Sequence, residues 1–241
     1  MSDTECLVAT DTPVDELPGH VFLAKMGKKL LRPGGRRATE QLFALAKLRP
    51  GDRVCEIATN RAITAIELVR RFNVNVDGVD MSAEFLLTAE KNVATHGLQD
   101  RIHLHVGRGH ELPFEDDSFD VVIAEAVITM LPPAQKADTL NEAARVLKPG
   151  GWLVFHELSR TDDAAEELRQ GLVKTIRHAA WPLTLPEWTE LVDQAGLRKT
   201  SIETGFMTLM SPRGLLRDEG LGGVARILGN ILRTRGAAAR F

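Results

Sequence analysis

Short apolar runs alternate with longer helical patterns through the middle of the chain. Five runs rich in branched aliphatic residues predict strands at residues 53–58, 74–79, 102–106, 119–124 and 152–156. Between them, apolar residues spaced three and four positions apart predict helices over residues 62–72, 82–95 and 133–147. Because such alternation builds a parallel sheet with helices on both faces, the pattern predicts a doubly wound, mostly parallel α/β fold.

The two ends of the chain lack this alternation. Polar, proline-interrupted sequence predicts a flexible arm at the N-terminus, and helical spacing follows over residues 21–31 and 39–48, separated by Arg32-Pro33-Gly34-Gly35. At the C-terminus, leucines and isoleucines recur at helical spacing among arginines. We therefore divide the chain into an arm, a helical cap, an α/β domain with an insertion at 159–182, and a basic amphipathic segment, over residues 1–19, 20–48, 49–210 and 211–241.

Composition and charge exclude several classes of protein. A chain of 241 residues with 44% hydrophobic and 26% charged residues is typical of a globular protein, and its net charge of −3 argues against nucleic acid as a partner. No run approaches the ~18 apolar residues of a membrane span, and the acidic N-terminus lacks a signal-peptide core. Two cysteines, and the pair His103 and His105 without a third ligand, predict no metal site. We expect a cytoplasmic protein.

Candidate chemistry lies where the predicted strands end, because doubly wound sheets bind ligands at the carboxyl edge. Asp80 ends the second strand, a position suited either to ribose hydroxyls or to capping the helix that begins near Ser82. Glu125 follows the fourth strand and is either a catalytic carboxylate or a solvated one. His156 closes the fifth strand, where it acts in catalysis or as a hydrogen-bonded structural residue.

Two motifs in this region point to a family. ELPFEDDSFDVVI and EAARVLKPGGWL span residues 111–123 and 142–153, and LTLPEWTELVDQAGLRKTSIETG follows at residues 183–205. With the strand ends, they make residues 37–205 resemble a class I S-adenosylmethionine-dependent methyltransferase of the small-molecule branch that includes the ubiquinone/menaquinone-biosynthesis methyltransferases. The resemblance implies a Rossmann-like fold, with a penultimate helix and a sixth strand over residues 183–205.

The resemblance also implies an activity and a set of site residues. The enzyme would transfer a methyl group from S-adenosylmethionine to a small-molecule acceptor by in-line displacement, leaving S-adenosylhomocysteine, with residues 159–182 as a substrate lid. Glu125 and His156 would be catalytic. The cofactor-binding residues implied are Glu56, Ala58, Thr59, Asn60, Ala62, Asp80, Met81, Arg108, Gly109, His110 and Glu125.

Four positions depart from the family pattern and leave alternatives open. Ala58, Asn60 and Ala62 stand where the family's first turn usually carries glycine, and Arg108 stands where an acidic residue usually meets the adenine. These departures favour an alternative, a pseudoenzyme or binding module of the same fold. The basic amphipathic ends favour a third hypothesis, a membrane-associated lipid or quinone methyltransferase with peripheral membrane contact. A homodimer and the absence of the fold's seventh strand are further expectations.

Overall fold

A computed structural model describes residues 14, 16–17, 19–28, 32–161, 170–171, 173–174, 179–209 and 211–237. Its contacts divide the chain into two compact units. The first, called here the sheet unit, comprises residues 37–163 and 181–205. The second, called here the terminal unit, is drawn from residues 1–36, 164–180 and 206–241.

The sheet unit is built on five parallel strands. The strands are β1 Arg53–Ile57, β2 Asn75–Asp80, β3 Ile102–Val106, β4 Phe119–Glu125 and β5 Leu147–His156. Their order is β3-β2-β1-β4-β5, so the chain starts in the middle, runs to one edge and then crosses to the other. This arrangement confirms the predicted doubly wound α/β fold.

Helices cover both faces of this sheet, which is why its central strands are apolar on both sides. The helices are α1 Gly19–Lys25, α2 Gly35–Leu45, α3 Ile63–Phe72, α4 Ala83–Thr95, α5 Pro133–Val146, α6 Leu185–Gln194 and α7 Pro212–Arg233. Residues of α2, α3 and α4 pack on one face, and residues of α5 and α6 pack on the other. Ser82 caps α4 by accepting from the backbone N–H of Phe85, and Thr184 and Glu187 cap α6 reciprocally.

Two predicted boundaries near the N-terminus are wrong. The helix expected over residues 21–31 ends at Lys25, because Gly27 adopts a φ of 97° that no helix accommodates. The next helix, expected from residue 39, already begins at Gly35, inside the predicted breaker. The expected cap of residues 20–48 is accordingly grouped differently, since Leu42 and Phe43 of α2 belong to the core of the sheet unit.

The predicted sixth strand does not form. Residues 198–205 are exposed and take no strand conformation, and β5 pairs with β4 alone among the described residues. Ile202 is the one large apolar side chain in this segment, so the segment offers little apolar surface to bury against a helix layer. The polar sequence of residues 198–205 therefore explains why this segment forms no strand, although it is similar to a region that forms one in the family.

The terminal unit has a small core of its own. Phe22, Leu23 and Met26 of the α1 region pack with Ile227 and Ile231 of α7. None of the helices in the described part of the chain is long and apolar enough to cross a membrane. The arm expected over residues 1–19 lies mostly outside the described residues, as do positions 162–169, 172 and 175–178 of the expected lid.

Candidate functional site

The turn between β1 and α3 holds three residues in the left-handed backbone region. Ala58 has a φ of 59°, Asn60 of 51° and Ala62 of 58°. These are the three positions at which the family resemblance leads one to expect glycine. Left-handed backbone costs an alanine ~1–2 kcal/mol relative to the right-handed region, whereas asparagine tolerates it better. The turn therefore keeps the backbone conformation of a glycine-rich loop without its glycines.

Buried hydrogen bonds hold this turn against β1 and β2. The hydroxyl of Thr59 donates to Oε2 of Glu56 at 2.5 Å, and its backbone N–H donates to the carbonyl of Val79 at 3.0 Å. A Cβ on Gly78 would come within 2.8 Å of Thr59 Oγ1, so glycine in β2 allows the turn to cross so closely. Glu56, 6% exposed, thus supports the turn through Thr59.

Asp80, the last residue of β2, faces this turn. Its Oδ2 accepts from the backbone N–H of Asn60 at 2.8 Å, and its Oδ1 accepts from that of Ser82 at 2.9 Å. Burial raises the pKa of Asp80, and the two N–H donors oppose that rise. Ser82, and not Asp80, makes the side-chain cap of α4. Each carboxylate oxygen accepts one backbone N–H and has a second acceptor direction, so the pair suits two adjacent hydroxyls.

Glu125, the last residue of β4, is held by two threonines from different helices. Thr39 of α2 donates to Oε1 at 3.0 Å, and Thr64 of α3 donates to Oε2 at 3.2 Å. Glu125 is therefore an oriented carboxylate at the carboxyl edge, not a solvated one. His156 lies beside it, because Glu125 and His156 are in register across β4 and β5.

The remaining predicted site residues follow β2 and β3. Met81 is 63% exposed. The backbones of Arg108 and Glu111 pair with each other in a single antiparallel β-bridge. At Gly109 a Cβ would come within 2.9 Å of Ile57 Cγ2, so glycine allows the chain after β3 to approach β1. His110 is half-buried. All of these residues belong to loops at the carboxyl edge of the sheet.

Comparison with known proteins agrees with this geometry. A family model described as a methyltransferase domain matches residues 54–151. An uncharacterized protein of Haemophilus influenzae is 39% identical over 215 residues, which are 89% of this chain and 86% of that protein. The ubiquinone/menaquinone biosynthesis C-methyltransferase UbiE of Geotalea daltonii is 34% identical over 122 residues, 48% of this chain and 51% of that protein. The chain belongs to the class I S-adenosylmethionine-dependent methyltransferases.

Solved structures of this methyltransferase fold resemble the chain over nearly its whole length. A phosphoethanolamine N-methyltransferase of Haemonchus contortus superposes with a TM-score of 0.70 at 21% identity, covering 91% of this chain and 49% of that one. A structure named the [4+2]-cyclase SpnF superposes with a TM-score of 0.68 at 18% identity, covering 94% and 93%. At such identities these two likenesses concern the fold. The chain spans about half the length of UbiE and of the Haemonchus enzyme.

The donor and acceptor set fits the cofactor of this family, S-adenosylmethionine. Asp80 offers two acceptor directions to a ribose diol, and the left-handed turn from Ala58 to Ala62 brings backbone close to the same edge. Gly109 keeps the neighbouring loop free of a side chain where it passes β1. Among the described residues, no group of three or more histidine, cysteine and carboxylate side chains is placed to hold a metal ion. His105 instead contacts Asp77, with Nε2 at 2.8 Å from Oδ1.

Sequence reasoning missed a buried polar network beside the methyltransferase site. Glu157 accepts from the backbone N–H groups of Val127, Ile128 and Thr129 and from the Thr129 hydroxyl, at 2.6–3.0 Å. Lys136 of α5, fully buried, donates to the carbonyl of Ile128. Burial lowers the pKa of Lys136 to about 8, although Glu157 opposes that change. The network fixes the chain where it leaves β4, directly after Glu125.

The signal for this network was weak. Lys136 lies in α5, a helix with many polar residues. The spacing of apolar residues in such a helix does not show whether its lysine faces the core or the solvent. Thr64 was missed for a similar reason, since a threonine on the inner face of α3 usually serves packing. Only the fold brings Thr64 to Glu125, 61 residues later in the chain.

Proposed function

We propose that this protein transfers the methyl group of S-adenosylmethionine to a small-molecule acceptor by in-line displacement. The observation that carries the proposal is the contact between Asp80 and the turn after β1, in which the backbone N–H of Asn60 donates to the carboxylate. That contact joins a ribose-type acceptor to a glycine-type turn, the two elements that a nucleoside cofactor needs at this edge. The bound cofactor supplies an activated methyl group on sulfur.

The chain's own residues would then bind and orient. Asp80 accepts from the ribose hydroxyls, and residues 58–62 support the methionine part of the cofactor. Met81 covers the adenine with an apolar side chain, while Arg108, Gly109 and His110 border it. The side chain of Arg108 has no hydrogen-bond acceptor to offer the adenine amine. In this proposal the adenine amine donates to backbone carbonyls instead. Glu56 acts through Thr59, which it holds in place.

Glu125 is the residue we assign to proton removal from the acceptor. Two threonine hydroxyls fix both carboxylate oxygens, so the group is aimed before the acceptor arrives. A hydroxyl, amine, thiol or acidic carbon would give its proton to this carboxylate as its bond to the methyl group forms. His156, beside Glu125 on β5, is the second candidate for the same task.

The acceptor in this proposal is a small molecule and not nucleic acid. A net charge of −3 gives no general attraction for a polyanion, and the relatives of the chain include enzymes of quinone biosynthesis. The proposal places the reaction in the cytoplasm, where a free thiol such as that of buried Cys55 stays reduced.

The cofactor step is tested first, by calorimetric titration of the full chain with S-adenosylmethionine and S-adenosylhomocysteine. We expect binding, and we expect Asp80→Asn to weaken it roughly 10-fold to 100-fold, because hydrogen bonds to a charged acceptor are worth ~1.5–3 kcal/mol. Asp77→Asn is the matched control, since Asp77 is a buried carboxylate of the same strand that pairs with Arg53 and His105. Equal affinities in the Asp80 and Asp77 variants would contradict the assignment.

The chemical step is tested by formation of S-adenosylhomocysteine with a panel of small phenols, quinols, amines and thiols. Glu125→Gln should keep cofactor affinity and lose turnover, because the amide has the same shape but is a far weaker base. Full turnover in this variant would contradict the role of Glu125 and leave His156 as the candidate for proton removal from the acceptor. A folded wild-type chain that binds neither form of the cofactor would contradict the proposal and favour the alternative, a binding module of the same fold. Arg108 is the observation that favours that alternative.

A further inference from the structure

The C-terminal half of α7 presents a stripe of exposed leucines. Leu221 is 80% exposed, Leu228 is 53% exposed and Leu232 is 84% exposed. Their spacing of seven and then four residues puts all three within ~40° of one another around a helix. The buried side of the same helix carries Ile227 and Ile231. The leucines therefore form a second apolar face, separate from the one that packs into the terminal unit.

The charges around this stripe are unevenly exposed. The five arginines of residues 211–237 are all exposed, whereas the side chains of Asp218 and Glu219 are at most 1% exposed. Both carboxylates lie 3.9 Å from Nζ of the buried Lys28. Arg217 and Arg226 also contact these carboxylates, at 3.6 Å and 3.7 Å. The segment has five arginines against two buried carboxylates, so the charge that it shows to solvent is cationic. The arginines are Arg213, Arg217, Arg226, Arg233 and Arg235.

A break in the backbone of α7 separates the buried carboxylates from the exposed leucines. Gly220, with φ 68° and ψ 174°, interrupts α7 between the residues that bury carboxylates and the residues that expose leucines. Glycine adopts this conformation without steric cost, and no atom outside its neighbours lies within 4 Å of the position of a Cβ. Residues 221–233 accordingly form their own helical segment, more than three turns long.

We propose that this segment of α7 lies on a membrane surface that contains anionic lipids. A helix with aliphatic side chains on one face and arginines beside them inserts the first into the acyl boundary and contacts lipid phosphates with the second. Phe206 and Met207, 95% and 54% exposed, are further exposed apolar side chains of the same unit. The inference is independent of the methyl-transfer proposal.

Charge favours lipid over a second copy of the chain. A twofold pairing of leucine stripes would bring Arg226 and Arg233 of both copies to one seam, and the two carboxylates of α7 are buried and already contacted by Lys28. Like charges brought together at such a seam repel, whereas an anionic lipid surface offers phosphates to exposed arginines such as Arg233.

The test is co-sedimentation of the full chain with vesicles of phosphatidylglycerol mixed with phosphatidylcholine, and with vesicles of phosphatidylcholine alone. We expect binding to the anionic vesicles that weakens as salt is raised. Arg233→Gln with Arg235→Gln should reduce partitioning roughly 30-fold, since each basic residue near such a surface is worth ~1 kcal/mol. Leu228→Asn with Leu232→Asn should reduce it as well. Both pairs of residues are exposed, so the chain should still fold.

Matched controls come from the sheet unit. Leu87 of α4 is 58% exposed and Arg70 of α3 is exposed, so Leu87→Asn and Arg70→Gln should leave partitioning unchanged. The proposal is overturned if the anionic vesicles are not bound, or if the α7 variants bind as well as the controls. It is also overturned if light scattering finds a dimer that the leucine variants dissociate while vesicles bind nothing, because the face would then belong to a second copy.

Discussion

Replacing Ala58 by glycine should stabilise the protein, although glycine usually destabilises. Ala58 has a φ of 59°, in the left-handed region, where the side chain of an alanine costs ~1–2 kcal/mol in steric strain. A glycine in the same conformation avoids this strain. The extra freedom of glycine in the unfolded chain costs ~0.5–1 kcal/mol. The net change is a rise of about 0–1.5 kcal/mol in the free energy of unfolding, with its middle at ~0.8 kcal/mol. Ala58 is only partly buried, so its lost methyl group removes little packing.

Ala65→Gly is the control for this prediction, because Ala65 is a fully buried alanine inside α3. Glycine there loses ~1 kcal/mol of helix propensity and ~0.8 kcal/mol of buried methylene-sized surface. The two variants should thus differ by about 2–3 kcal/mol in opposite directions, measured as midpoints of urea unfolding at equal m-value. If Ala58→Gly destabilises as much as Ala65→Gly, Ala58 does not occupy the left-handed region and the turn does not have this geometry.

Three further predictions concern buried polar groups. Because burial lowers the pKa of Lys136 from 10.5 to about 8, the unfolded chain binds more protons than the folded chain between these values. The free energy of unfolding should therefore gain up to ~3 kcal/mol across that window through this group, and Lys136→Met should remove the gain in pH-dependent urea titrations. Thr184→Ala should cost ~1 kcal/mol in the same assay, because it breaks the capping box of α6. Lys28→Met should lower the free energy of unfolding, because it removes the buried cation beside Asp218 and Glu219. The loss should be smaller than the ~3–5 kcal/mol of a fully broken buried pair, since Arg217 and Arg226 still contact these carboxylates.

The parallel sheet was predictable because the signals for its strands and helices are local and repeated. β1 and β4 are mostly apolar and buried along nearly their whole length, and the helices of the sheet unit carry apolar residues at helical spacing. Ser82 is an example: its hydroxyl caps α4 at the position that the sequence pattern indicates. The prediction of a sixth strand was wrong for the same reason, since it came from family similarity and residues 198–205 contain no apolar run.

The candidate site was predictable only in part, for a related reason. Asp80 and Glu125 stand at strand ends, which the order of elements locates without any knowledge of contacts. Thr39 and Thr64 stand inside helices, and which helical threonine meets Glu125 depends on how α2 and α3 cross the sheet. Positive φ at Ala58 was not predictable either, because left-handed alanine is rare and the surrounding contacts impose it.

The alanines of the first turn need not be a sign of a decayed cofactor site. A glycine-rich loop reaches left-handed conformations without strain, but it has many other conformations to lose when it orders around a ligand. In this chain, Ala58 and Ala62 have fewer alternatives, and the contacts of Thr59 with Glu56 and Val79 hold the strained backbone in place. Part of the ordering cost is then met during folding instead of during binding, which is the effect of preorganisation. On this argument Ala58→Gly should stabilise the fold yet weaken cofactor binding, whereas a decayed site would have no cofactor affinity to lose.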